Sequence, residues 1–167
     1  MKRSIEVPEL VFTEWCSWDD RKFIKNSKYP GIYMIAISDK DLSDQRPQYV
    51  DVSYIGMTNS HKGLQGRWYQ FYQSIRGKSG HSGGRTVYKE LGHHETWSED
   101  LFVCAIPVIC NTVTPTDKDL IEMGKVAFLE YDAFAAFYRA IPDLKKPRFN
   151  KKGNATPKKE TPRKKSL

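Results

Sequence analysis

Two tyrosines, an arginine and a glutamate stand out in this sequence for the chemistry they could share. Tyr33 and Tyr54 lie in the β-rich runs GIYMIAIS and YVDVSYIGM, while Arg67 and Glu130 lie in stretches of helical periodicity. A guanidinium keeps its charge at every relevant pH and grips phosphate oxygens at two points, which suits the negative charge that develops in phosphoryl transfer. Magnesium prefers oxygen ligands and retains its waters, so one carboxylate and a substrate phosphate can hold it without an acidic cage. A phenol alone is a poor base: with a pKa of about 10, it accepts protons near neutrality only with help from nearby cations or a hydrogen-bonded relay. Asn150 completes the set, able to hydrogen-bond within a cleft or to a phosphate, and equally able to form a loop turn. Each residue also has an ordinary reading. Strand tyrosines commonly pack, an arginine can snorkel past a core, and a glutamate can face water.

Apolar spacing defines the elements that must position these groups. The two β-rich runs are separated by the polar stretch DKDLSDQRPQ and suggest an antiparallel hairpin with Tyr33 and Tyr54 on separate strands. From residue 62 to 78, Leu64, Trp68, Phe71 and Ile75 recur at steps of four, three and four, as one helical face requires. Arg67 falls beside that face, at a cleft edge. Residues 79–84, SGHSGG, break the helix; residues 86–91 add a short turn or helix, and LFVCAIPVIC supplies another strand. The longest helix is expected to start with Thr114 as cap, Pro115 in the first turn and Asp117 completing a capping box, and to end by Pro142. Its buried face reads as Leu120, Met123, Ala127, Tyr131, Phe134 and Tyr138, with Glu130 at the edge and Glu122 on the opposite side. Trp15, Trp18 and Phe23 are expected to add an N-terminal helix to the core. The fold class expected is α/β, a compact domain with a small, mainly antiparallel central sheet flanked by helices.

In chain order, Gly31-Ile32-Tyr33, Tyr54-Ile55-Gly56, Arg67, Glu130 and the segment KPRFN together resemble the GIY-YIG nuclease superfamily, over roughly residues 30–152. Pro30 before the first motif and Asn150, at the place of the family's C-terminal asparagine, fit the same pattern. The resemblance implies a metal-dependent endonuclease that leaves 5′-phosphate and 3′-hydroxyl ends. It makes Glu130 the ligand of Mg2+, with Mn2+ as a substitute, and Arg67 the stabiliser of developing charge. Tyr33 stands closest to water activation, with Tyr54 supporting the nucleophile or phosphate and Asn150 in a supporting role. The chain departs from the family at three places. Met57 and Thr58 follow the second motif where a basic residue often stands, leaving Lys62 to supply the charge. Phe71 occupies the position, four after the arginine, where tyrosine or histidine is common, leaving Tyr69, Tyr72 or His81 as substitutes. The interval from Tyr54 to Arg67 is also longer than in compact relatives.

A chain of 167 residues, 39% hydrophobic and 13% aromatic, has enough material for one packed domain with tails. The expected division is an N-terminal extension packed on the core (1–29), the nuclease domain (30–152) and a basic disordered tail (153–167). No run approaches the roughly 20 apolar residues that span a bilayer, and MKRSIEVPEL lacks a signal peptide's apolar centre, so a cytoplasmic protein without membrane association is expected. Cys16, Cys104 and Cys110 are odd in number and lack CxxC spacing, which argues for reduced thiols. Cys104 and Cys110 could join His93 and His94 at zinc, but both cysteines sit in an apolar run, and burial is the stronger reading.

The net charge of +7 is unevenly spread: residues 145–167 carry +9 and the remainder −2. A Lys-, Pro- and Thr-rich end without apolar periodicity reads as a disordered electrostatic arm. Lys151, Lys152, Lys158, Lys159, Arg163, Lys164 and Lys165 are its candidate phosphate contacts. The expected partner is nucleic acid, DNA ahead of RNA, with no obligate protein partner. Two rival classes are a catalytically silent nucleic-acid-binding module and a protein-interaction domain. Removing residues 153–167 deletes five of these cations but no catalytic candidate. The expected outcome is weaker binding at low salt and a shallower salt dependence, with the saturated cleavage rate nearly preserved. Binding isotherms at several salt concentrations, paired with single-turnover cleavage, check both halves; unchanged binding rejects the electrostatic arm.

Overall fold

A strand covered on both faces needs apolar residues at successive positions, and Gly31–Ile37 supplies them: all but its last residue are buried. In the computed structural model, which describes residues 4–150, this strand is β2 of a four-stranded sheet. Its companions are Cys16–Ser17 (β1), Val52–Thr58 (β3) and Leu101–Pro107 (β4), all pairing antiparallel in the order β1-β4-β2-β3. Residues alternate between two cores, as a pleated strand dictates. Ile32, Met34 and Ala36 pack toward Asp117–Ala140 (α3), through Val126, Leu129, Ala133 and Phe137. Tyr33 and Ile35 pack toward Gly63–Ile75 (α1), through Leu64, Trp68, Phe71 and Ile75, all fully buried as their spacing predicts. Ser82–Leu91 (α2) lies against α1 and adds Val87 to the second core. The fold is therefore an α/β domain with an antiparallel sheet between helices. Among the described residues, no helix is long and apolar enough to cross a membrane. Lys151, Lys152, Lys158, Lys159, Arg163, Lys164 and Lys165, with the expected tail, lie outside the described residues.

A bulge gives β3 its usefulness. Ile35 pairs with Tyr54 but Ala36 pairs with Val52, so Ser53 is an extra residue and the alternation flips across it. Val52 consequently joins the α3 core while Tyr54 turns to the α1 side, the same side as Tyr33. The outer edge of β3 is closed by the C-terminal segment. Phe149 N–H donates to the Ser53 carbonyl at 3.0 Å, and the Asn150 amide bridges Ile55, accepting from its N–H and donating to its carbonyl, both at 2.8 Å. Asn150 also closes a turn through its own N–H to the Pro147 carbonyl. Its side chain thus completes a sheet edge, a role the sequence did not suggest, while the residue also lines a groove beside Glu130.

Other elements differ from expectation for local reasons. The spacing Thr-x-x-Asp occurs twice, at 114–117 and 116–119, and the second is used: Asp119 accepts from Thr116 N–H while Thr116 Oγ1 accepts from Asp119 N–H. Asp119 also accepts from Asn111 N–H, which fixes the preceding turn and leaves Thr114 and Pro115 ahead of the helix. The buried face of α3 is Val126, Leu129, Ala133, Ala136 and Phe137, roughly 130° round the helix from the expected one. Leu120, Tyr131 and Tyr138 are exposed. Small alanines let α3 approach the sheet, whereas the tyrosines keep their hydroxyls toward water. Instead of an N-terminal α-helix, the sequence forms β1 and a short 3-10 helix, Trp18–Phe23, because Cys16 and Ser17 pair with β4. Trp15 and Trp18 are buried in opposite cores, and Phe23 is exposed. Strand β4 stops at Pro107, before Cys110, and α2 begins within SGHSGG, at Ser82.

Asn150→Ala leaves both Ile55 backbone groups without their side-chain partner. Denaturant unfolding should show a loss of about 1–3 kcal/mol. A change within experimental error of zero would mean that water satisfies this edge equally well.

Candidate active site

Tyr33 stands opposite Gly56 in the β2–β3 register, with Tyr54 diagonal to it and the two rings 6.1 Å apart. A Cβ on Gly56 would lie 2.5 Å from the ring and hydroxyl of Tyr33 and 2.8 Å from the Tyr54 ring. The glycine of the second motif is therefore a space requirement of the tyrosine of the first. Gly83, in the first turn of α2, plays the same part for Tyr54, whose ring occupies the space a side chain there would need. Both glycines exist to let rings and backbone come together at one place.

Into that place α2 delivers His81, its N-cap. The imidazole is buried and held at three points: its backbone N–H donates to Ser74 Oγ at 2.8 Å, Nδ1 accepts from Gly84 N–H at 3.1 Å, and Nε2 is 2.8 Å from Tyr33 Oη. Burial, and then the Arg67 charge, hold its pKa down at about 3, so the ring is neutral near pH 7. A backbone N–H can only donate, so Nδ1 carries no proton and the single ring proton is on Nε2. His81 consequently donates to Tyr33, and the phenolic proton of Tyr33 is left to point elsewhere, with the Tyr54 hydroxyl as its neighbour. Burial first, and then Tyr54, raise the Tyr33 pKa well above the usual 10, while Arg67 opposes the rise. Burial also raises that of Tyr54, again against Arg67. Both tyrosines are neutral phenols at rest.

Arg67 projects from α1 and Glu130 from α3, on opposite sides of the sheet edge formed by Tyr54. Arg67 Nη1 donates to Gln70 Oε1 at 2.9 Å, and its Nε is buried without a hydrogen-bond partner among the described residues. Glu130 lies about 20° from Phe137 and about 40° from Phe134 around α3, on the boundary between the buried arc and the arc lining a groove. Burial raises its carboxyl pKa and Arg67 lowers it, yet the two form no direct ion pair among the described residues. A half-buried carboxylate short of positive charge, beside phenol oxygens, fits a hard divalent cation that keeps its own waters. No group of three or more His, Cys, Asp and Glu is assembled among the described residues, so water and substrate would have to complete such a site.

Five residues thus converge: Tyr33, Tyr54, Arg67 and Glu130 from the sequence-derived core set, and His81 from the three substitutes for the Phe71 position. Phe71 itself packs edge-on against the His81 ring at 5.3 Å. Tyr69 is exposed, and Tyr72 belongs to a different cluster, stacked with Arg21, Arg76 and His94. Lys62 caps α1 as an exposed residue. Glu122 pairs with Lys125 at 2.8 Å. Cys104 and Cys110 are buried without forming a metal cluster with His93 and His94, which packs on Tyr72 and Trp97. Sequence reasoning missed Ser74 and Gly83; the adjacent glycines in SGHSGG were the signal, read there only as a break. No family model, curated protein or solved structure matches the chain.

The depressed His81 pKa has a consequence for stability. Above pH 6.5 neither the folded nor the unfolded imidazole is protonated, whereas between 6.5 and 3 the unfolded one takes up a proton that the folded one refuses. Stability therefore falls as pH is lowered, by up to about 1.4 kcal/mol per pH unit. Between about pH 6.5 and 5, wild type should lose about 2 kcal/mol more than His81→Gln in denaturant unfolding. Parallel losses would show that His81 protonates within the folded protein.

Proposed function

We propose that this chain is a GIY-YIG-type endonuclease that hydrolyses phosphodiester bonds in nucleic acid, DNA ahead of RNA, with a divalent cation. The observation carrying this reading is the meeting of Tyr33, Tyr54, His81, Arg67 and Glu130 at one end of a groove of about 780 Å³, which Tyr54 and Glu130 line. Their chemistry is complementary to an anion whose charge grows during reaction. Arg67, permanently charged and adjoining both tyrosine hydroxyls, would take the developing negative charge on the phosphate. Glu130 would hold the cation, whose contribution when bound is Lewis-acid stabilisation of phosphate charge.

The protonation states set the part that Tyr33 can take. As a neutral phenol it cannot simply store a proton from the attacking water. It can act as a relay only once the attacking water reaches its hydroxyl, which is closed to solvent at rest: its oxygen then receives the water's proton as its own passes to Tyr54 or a phosphate oxygen. His81 Nε2–H, donating to that oxygen throughout, holds its orientation and favours negative charge on it. In this scheme His81 is a positioning residue.

Two substitutions test the reading. Glu130→Gln keeps the size but removes the ligand charge, and magnesium-dependent cleavage should fall at least about 100-fold with the fold intact. Arg67→Lys keeps a charge but not the planar fork, and should lose most turnover, about 100-fold. A folded Glu130→Gln protein that cleaves like wild type would remove the cation assignment, and wild-type turnover by Arg67→Lys would remove its transition-state role.

A further inference from the structure

The groove that begins at Glu130 continues past the catalytic cluster with a lining of its own. Along α3 it presents Tyr131, Phe134 and Tyr138, at steps of three and four, so the three rings share one helical face. Tyr131 is 75% exposed and Tyr138 50%. Lys145 and Lys146 also line the groove, as does Arg139, the neighbour of Tyr138 on α3. None of these three cations forms an ion pair among the described residues. From Glu130 to Tyr138 the wall runs about 12 Å along the helix.

Aromatic faces interleaved with unpaired cations suit one class of ligand: a polyanion with flat, exposed rings. In duplex nucleic acid the bases cover one another, and only an unstacked strand offers its faces to protein aromatics. A groove of about 780 Å³ is also on the scale that encloses a small molecule, a few nucleotides at most, and not a double helix. An apolar peptide would match the rings but leave the cations unanswered. Resting on the hydrolase reading above, we propose that the strand carrying the scissile phosphate lies unpaired in this groove, its bases on Tyr131 and Tyr138 and its phosphates toward Arg139, Lys145 and Lys146. The substrate class is then single-stranded or flapped nucleic acid.

Binding separates this proposal from the catalytic one. Full-length protein in EDTA would be titrated into short oligodeoxythymidine and oligouridine, each single-stranded and in blunt duplex, with a 2-aminopurine reporter for base stacking in the DNA. The single strands should bind at least about tenfold more tightly than the duplexes, and the reporter should quench. Tyr131→Ala with Tyr138→Ala should lower single-strand affinity about tenfold or more and abolish the quench, while Lys145→Gln with Lys146→Gln should flatten the salt dependence. Exposed side chains make these variants foldable, which thermal melting would verify. Duplexes bound as tightly as single strands, or affinity unmoved by the tyrosine pair, would overturn the proposal; if the tyrosine variants instead changed sedimentation, a second copy would be the occupant. Tight, quenching single-strand binding without any magnesium-dependent cleavage would uphold the groove and overturn the hydrolase reading. Cleavage of blunt duplex indifferent to the groove variants would do the reverse.

Discussion

A phenol hydroxyl with no contact to solvent must find a hydrogen-bond partner inside the protein or lose about 1–3 kcal/mol, and Tyr33 finds His81 across 48 residues of sequence. Much of the surrounding architecture serves that bond. Ser74 on α1 holds the His81 backbone N–H, and Gly84 on α2 donates to the imidazole Nδ1, which fixes the ring proton on Nε2. Gly56 and Gly83 keep side chains out of the space that the tyrosine rings occupy. Phe71 closes the hydrophobic side of His81, which keeps the ring neutral. The packing of α2 on α1, unremarkable as helix packing, is what turns two strand tyrosines into an organised polar cluster.

The charges around that cluster are arranged differently. Glu130 senses the Arg67 charge, but no ion pair neutralises either among the described residues. Direct pairing would satisfy both and leave little for a ligand; separation leaves a cationic and an anionic position to be completed by phosphate and cation. The overall charge is a poorer guide. The C-terminal end carries +9 against −2 for the rest of the chain, and of its described cations Arg148 is engaged by Glu90 while Lys145 and Lys146 line the groove.

Local features of the site were legible in the sequence. β-rich runs located β2 and β3, and the four-three-four spacing located the buried face of α1 and placed Arg67 beside it. What depends on distant partners was not legible. His81 could be singled out only as one of three substitutes, because nothing near it in sequence specifies Tyr33. Asn150 was read as a cleft or turn residue, and it lines the groove and closes a turn, but its clasp on Ile55 spans 95 residues and could not be foreseen. Helix α3 misled for another reason: it carries apolar residues on two neighbouring arcs, and periodicity cannot tell the arc that meets a sheet from the arc that lines a groove. Glu130 survived that error because it stands on the boundary between them.

Tyr33→Phe tests the central claim most directly, since it removes the hydroxyl and leaves the ring that Gly56 accommodates. Single-turnover cleavage with magnesium, at saturating protein, isolates the chemical step from binding. The relay through Tyr33 predicts a rate reduced about 100-fold or more in a protein that still melts cooperatively and binds substrate as wild type does. A folded Tyr33→Phe protein that cleaves at a rate close to wild type would contradict it, and would reduce the Tyr33–His81 pair to a device of packing.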